Sequence, residues 1–76
     1  MTNIKFYFFT NTLNQKIIKN IIKLKNIGII YKSENIDFKK INILRVFCKK
    51  NKIPFFITNN IKLAYKFKSD GIFLTN

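Results

Sequence analysis

Ile53-Pro54-Phe55-Phe56-Ile57-Thr58-Asn59-Asn60, continuing to Ser69-Asp70-Gly71-Ile72-Phe73-Leu74-Thr75-Asn76, is the stretch that decides the fold class. It holds two short apolar runs that each end in small polar residues, with room for only one or two helical turns between them. A parallel β/α unit reads this way when a ligand lies at the carboxyl ends of its strands. Pro54 opens the first run, where its missing N–H does least harm to a ladder, and Ser69-Asp70-Gly71 makes the turn into the second.

Upstream the same unit recurs. Ile4 to Phe9 and Ile27 to Tyr31 are also apolar and rich in β-branched or aromatic residues, so four strands are expected, the third over Ile53 to Ile57 and the fourth over Ile72 to Leu74. All four runs are nearly continuous rather than alternating, as in parallel strands covered on both faces. Between the first two, Leu13, Ile17, Ile18, Ile21, Ile22 and Leu24 recur at three and four, with Asn11 or Thr12 placed as N-cap. Between the second and third, Phe38, Ile41, Leu44, Phe47 and Cys48 repeat that spacing. Here Asp37 is placed as N-cap, and Lys49 and Lys50 complement the C-terminal dipole. Ile61, Ala64 and Tyr65 give a shorter third helix after Asn59 or Asn60. The predicted order is β-α-β-α-β-α-β, an α/β fold with a parallel sheet and right-handed crossovers.

Composition gives two readings of the charge. The 76 residues carry fifteen Lys+Arg against three acids, a formal net charge of +12. That balance ordinarily points to nucleic acid or an anionic surface. However, fourteen of the fifteen bases are Lys, and Lys, Asn, Ile, Phe and Tyr together supply 52 residues, all with A/T-rich codons. A skewed genome would give almost any protein this composition, and Lys without Arg clustering is a weak footprint. A small basic nucleic-acid-binding module, with Tyr7, Tyr31 and Tyr65 among the lysines, stands as the alternative function.

Length allows one domain, residues 1–76, near the lower limit of ~50–250 residues for a domain. Cys48 is the only cysteine, so no disulfide forms within the chain, and its place on the apolar face of the second helix reads as a buried structural thiol. No run approaches the ~20 apolar residues of a membrane helix, and Phe6 to Phe9 is too short for a signal-peptide core. A cytoplasmic protein is expected. With no His there is no Ser-His or Cys-His nucleophile system and no conventional zinc site, and two glycines cannot make a phosphate-binding loop.

The strand ends gather Thr10 and Asn11; Lys32, Ser33 and Glu34; Thr58, Asn59 and Asn60; and Thr75 and Asn76. In order and spacing these motifs resemble the thiamine-phosphate synthase and thiazole tautomerase family. Phe6-Tyr7-Phe8-Phe9-Thr10-Asn11 is similar to its first-strand Leu-Tyr-Leu-Val-Thr-Asp motif. More faintly, Gly28-Ile29-Ile30-Tyr31-Lys32-Ser33-Glu34-Asn35 resembles the second-strand run ending Gln-Leu-Arg-Glu-Lys. Ile53-Pro54 through Asn59 resembles a Pro-led strand ending Ile-Asn-Asp-Arg, and Asp70-Gly71-Ile72-Phe73-Leu74 resembles Ala-Asp-Gly-Val-His-Leu-Gly-Gln.

The resemblance implies the N-terminal half of a (β/α)₈ barrel, with thiamin biosynthesis as its setting. It implies a transferase that joins hydroxymethylpyrimidine diphosphate to thiazole phosphate, with Mg²⁺ as cofactor if the family site is functional. Lys32, Glu34, Thr58 and Asn59 are the substrate-binding positions it carries over, and no catalytic residue is assigned. Departures are as informative as matches. The family's second-strand Gln falls on Ile30, its Arg on Lys32 and its Lys on Glu34. The third-strand Asn falls on Thr58, the metal-binding Asp on Asn59, and the fourth-strand His on Phe73. A second metal-binding Asp would come just after Asn76. Displacement of diphosphate needs divalent metal and cations, and an amide at Asn59 offers oxygen without charge, so the metal site is expected to be lost. Four strands are half of a barrel of ~200 or more residues, and the family-type phosphate pocket after the seventh and eighth strands is missing. A truncated enzyme, weak or inactive alone, is therefore expected, ahead of self-association or pairing with a complementary half-barrel.

Overall fold

The computed structural model describes residues 4–75. Its elements are β1 (Phe6–Thr10), α1 (Gln15–Ile22), β2 (Ile27–Tyr31), α2 (Phe38–Lys50), β3 (Phe55–Thr58), α3 (Ile61–Lys66) and β4 (Gly71–Phe73). This is the predicted order, and the four strands form one all-parallel sheet in the spatial order β1-β2-β3-β4. No helix of the described residues is long and apolar enough to cross a membrane.

Sequential strand order has a geometric consequence. When every crossover steps one strand in the same direction with the same hand, all the helices land on one face. Residues from all three helices, Ile21, Ile41, Leu44, Cys48, Leu63 and Ala64, accordingly share one core with Ile27, Ile29, Tyr31, Phe55 and Ile57 of the sheet. Register places Phe8, Ile29 and Phe55 side by side on this face.

The alternate residues point the other way, where the helices do not reach. Tyr7, Phe9, Ile30, Phe56 and Phe73 occupy that face, and their rings pack on one another. Tyr7 lies 5.3 Å from Phe73 and 6.0 Å from Phe56, and Phe9 lies 5.3 Å from Phe73, ring centroid to centroid. β1 and β4 are the two edges of the sheet, roughly 14 Å apart in a flat sheet at the usual strand spacing. Curl of the sheet and inward lean of the rings bring them into contact, and Ile30 beneath them is 0% exposed. Gly28 and Gly71 make room for this: a Cβ on either would stand 3.3 or 3.2 Å from the Phe56 ring. Tyr7 and Phe9 remain exposed at their outer sides.

Local details depart from the sequence reading: β1, β3 and β4 are shifted by one or two residues from the expected runs, and the helices differ in cap and phase. The N-cap of α1 is Asn14, whose side chain accepts from the Ile17 N–H, and not Asn11 or Thr12. Thr12 is engaged earlier, in a turn where its N–H donates to Thr10 Oγ1 and its carbonyl accepts from the same hydroxyl. Ile22 and Leu24 are exposed, so α1 docks through Ile21 with Ile17 and Leu13 alongside. In α3 the buried pair is Leu63 and Ala64, whereas Ile61 and Tyr65 face solvent, because six residues are too few for periodicity to fix a helix phase. Asp37 caps α2 as expected, accepting from the Lys39 and Lys40 N–H groups. Pro54 stands one residue ahead of β3 and still serves the ladder, its carbonyl accepting from the Ile29 N–H at 2.9 Å.

Candidate functional site: the carboxyl-end cleft

A cavity of about 240 Å³ opens at the carboxyl ends of β2 and β3, and Lys32, Glu34, Thr58 and Asn59 all line it, together with Asn60 and Thr75. The four candidate residues are thus brought together. Asn11 lines a neighbouring recess that shares Lys32 and Glu34. Asn76 lies outside the described residues.

Each side chain is held in its own way. Lys32 follows β2, its N–H donating to the Thr10 carbonyl at 3.0 Å and its ammonium standing 5.8 Å from the centroid of the Phe9 ring. Thr58 ends β3 and donates its hydroxyl to the Tyr31 carbonyl at 3.1 Å. Glu34 is exposed in the loop after β2, where Ser33 turns the chain by donating to the Asn35 carbonyl at 2.7 Å. Tyr31 braces that loop from below: its hydroxyl donates to the Asn35 carbonyl and accepts from the Asp37 N–H, both at 3.3 Å.

Asn59 is the most constrained of the set. Its φ of 49° lies in the left-handed region, which asparagine tolerates better than most residues. Its side-chain Nδ2 donates to Thr75 Oγ1 at 2.6 Å, and its Oδ1 accepts from the Thr75 N–H at 2.8 Å. The Asn59 N–H also donates to the Phe73 carbonyl. Asn59 therefore clips the end of β3 to the segment after β4. Asn60 follows as N-cap of α3, accepting from the Leu63 N–H at 3.0 Å.

Mg²⁺ does not fit this cleft. It prefers charged oxygens, and the amide oxygen of Asn59 is already engaged by Thr75. Glu34 is the only carboxylate in the lining, and among the described residues no cluster of three potential metal-ligating side chains occurs. The Thr58 and Ser33 hydroxyl protons are already given to backbone carbonyls. What the cleft offers is therefore one flexible cation, Lys32, with the Thr75 hydroxyl and the remaining side-chain N–H groups of Asn59 and Asn60. That donor set is suited to holding a small anion rather than activating a leaving group.

No protein-family model matches the chain, and neither curated proteins nor solved structures give a significant match.

Other singled-out residues take structural places. Cys48 is buried, and burial, reinforced by the charge of Asp70, pushes its thiol from 9.0 up to about 12. Such a thiol is unreactive at neutral pH. The three tyrosines are not assembled into a stacking platform: Tyr7 is on the aromatic face, Tyr31 is in the helix-side core, and Tyr65 projects from α3 at 83% exposure. Asp70 does more than turn the chain. Its carboxylate accepts from the Phe55 N–H and its own N–H donates to the Phe55 carbonyl, each at 2.7 Å, closing a ring between the amino ends of β3 and β4. A pairing across fifteen residues leaves no trace in local sequence.

Proposed function

We propose that this chain is a thiamine-phosphate-synthase-like unit, corresponding to the first four β/α repeats of a (β/α)₈ barrel. In this reading it keeps the fold and a carboxyl-end cleft for a phosphorylated small molecule, and lacks the metal-dependent synthase step. The observation that carries the reading is the one-sided, sequential winding of the sheet, with Lys32, Thr58 and Asn59 meeting at its carboxyl end. A doubly wound fold would reverse its strand order and cover both faces with helices. Sequential winding leaves one face to be filled by side chains, as the interior of a barrel is.

Lys32 supplies the cation for the phosphate of the thiazole or pyrimidine substrate. The family's Asp position is spent on the Asn59–Thr75 clip, so nothing neutralises a departing diphosphate, and transfer is expected not to occur. The test combines the protein with hydroxymethylpyrimidine diphosphate, thiazole phosphate and Mg²⁺. The reading expects no thiamine phosphate above background; turnover that vanishes with a chelator would overturn the loss of the metal step.

A further inference from the structure

The opposite end of the sheet carries a second cleft. A cavity of about 380 Å³ lies beneath the amino ends of β3 and β4, walled by Ile53, Pro54 and Phe55 and rimmed by Arg45, Lys49, Lys52 and Lys68. One carboxylate, Asp70, shares it, and that group is engaged by the Phe55 N–H. Arg45 is held in place by donating its Nε–H to the Phe67 carbonyl at 2.7 Å.

The cations have an ordinary explanation to beat. The carbonyl ends of α2 and α3 meet here, and cations there complement helix dipoles. That explanation reaches Lys49, Lys52 and Lys68, but at about 0.3–1 kcal/mol it does not offset what the last two cost the backbone. Both helices end in Schellman motifs. After α2 the Lys52 N–H donates to the Lys49 carbonyl and the Ile53 N–H to the Cys48 carbonyl. After α3 the Lys68 N–H donates to the Tyr65 carbonyl and the Ser69 N–H to the Ala64 carbonyl. Lys52 and Lys68 are the left-handed residues of these motifs, at φ 56° and 51°. Glycine or asparagine is favoured there, and a lysine costs about 1–2 kcal/mol of backbone energy. Codon bias does not account for the choice. Asparagine has equally A/T-rich codons, abounds in this chain, and takes the left-handed position in the α1–β2 loop at Asn26, φ 62°. Two costly lysines at matching positions therefore converge on one cleft without being needed for either turn.

We infer that this amino-end cleft binds a small phosphate monoester, its anionic end among Arg45, Lys49, Lys52 and Lys68 and its apolar part against Ile53 and Pro54. This site is separate from the carboxyl-end cleft and does not depend on how that cleft is used. The two lysines that mark it also allow a clean test, because Lys52→Gly and Lys68→Gly remove charge while relieving the left-handed backbone, so the double variant folds. Backbone amide resonances of the full chain are followed as phenyl phosphate or inorganic phosphate is added at fixed ionic strength. Saturable shifts are expected at residues 52–55 and 68–71, with phenyl phosphate binding more tightly than phosphate. The double glycine variant should bind at least about tenfold more weakly. Lys16→Gln with Lys19→Gln on α1, an equal loss of charge, should leave affinity unchanged. Absence of saturable shifts, equal weakening by the α1 variant, or a short oligothymidylate binding here more tightly than phenyl phosphate would each overturn the site.

Discussion

The two ends of the sheet use their polar residues in opposite ways. At the carboxyl end, where α/β ligands usually bind, the side chains are largely spent on the protein itself. Asn59 and Thr75 clip to each other, Thr58 donates to Tyr31, Ser33 closes a turn, and Asn14 and Asn60 cap helices. At the amino end, one carboxylate ties the strands together through Asp70, and three exposed lysines stand around an apolar hollow. A fold with a marginal core, as a chain of this length must have, draws on loop hydrogen bonds for stability. Residues recruited for that purpose have fewer donors left for a ligand, so at the carboxyl end the task falls to the Lys32 ammonium. Position in a fold thus indicates where a site could lie, and hydrogen-bond occupancy indicates whether it is still open.

The contrast can be broken or sharpened by substitution. The largest effect is expected for Asp70→Ala, which removes a charged hydrogen bond and frees the Phe55 N–H; denaturant unfolding should register a loss of about 1.5–3 kcal/mol. Asn59→Ala should cost about 1–2 kcal/mol, through loss of both bonds to Thr75 and a worse left-handed residue. Asn59→Asp should keep most of that stability and give at most millimolar Mg²⁺ affinity by calorimetry, since Glu34, the one other carboxylate of the cleft, stands on a separate exposed loop. Smaller and opposite in sign, Lys52→Gly and Lys68→Gly should each stabilise by about 0.5–1 kcal/mol after glycine's unfolded-state freedom is deducted.

A slope distinguishes the interior from both ends. Cys48 keeps its proton in the fold up to about 12, whereas the ordinary value is 9.0. Its contribution is intact below pH 9, where both states are protonated. It is lost as pH rises towards about 12, because the unfolded chain gives up the proton first. Cys48→Ala should flatten stability against pH in that alkaline window, and wild-type Cys48 should resist thiol reagents at pH 7 until the chain unfolds.

Much of the fold was legible in the sequence because the strongest signals are local. Near-continuous β-branched and aromatic runs gave four strands in a parallel sheet, and α2 followed from a full thirteen-residue periodicity with Asp37 before it. Short elements were less legible. Asn11, Thr12 and Asn14 are all competent caps, and only the turn made by Thr10 and Thr12 decides in favour of Asn14. The phase of α3 rests on packing of Leu63 and Ala64 against β3 and β4, not on its own six residues. Lys32, Glu34, Thr58 and Asn59 stand among the polar strand ends, which parallel winding brings together, though it was the family resemblance that picked these four from the longer set. The Asn59–Thr75 clip, the Asp70–Phe55 ring and the nesting of Phe56 between Gly28 and Gly71 could not be read in either way. Each joins residues far apart in sequence through a register that only the folded sheet defines.

The central claim is a carboxyl-end cleft that holds a phosphorylated small molecule through Lys32 and without metal. Calorimetric titration of the full chain carrying Lys52→Gly and Lys68→Gly, which weaken the amino-end cleft, with thiazole phosphate, in Mg²⁺ and again in chelator, tests it most directly. The account predicts saturable binding of equal affinity in both, weakened about tenfold or more by Lys32→Ala. Absence of binding, affinity that depends on Mg²⁺, or indifference to Lys32→Ala would contradict it.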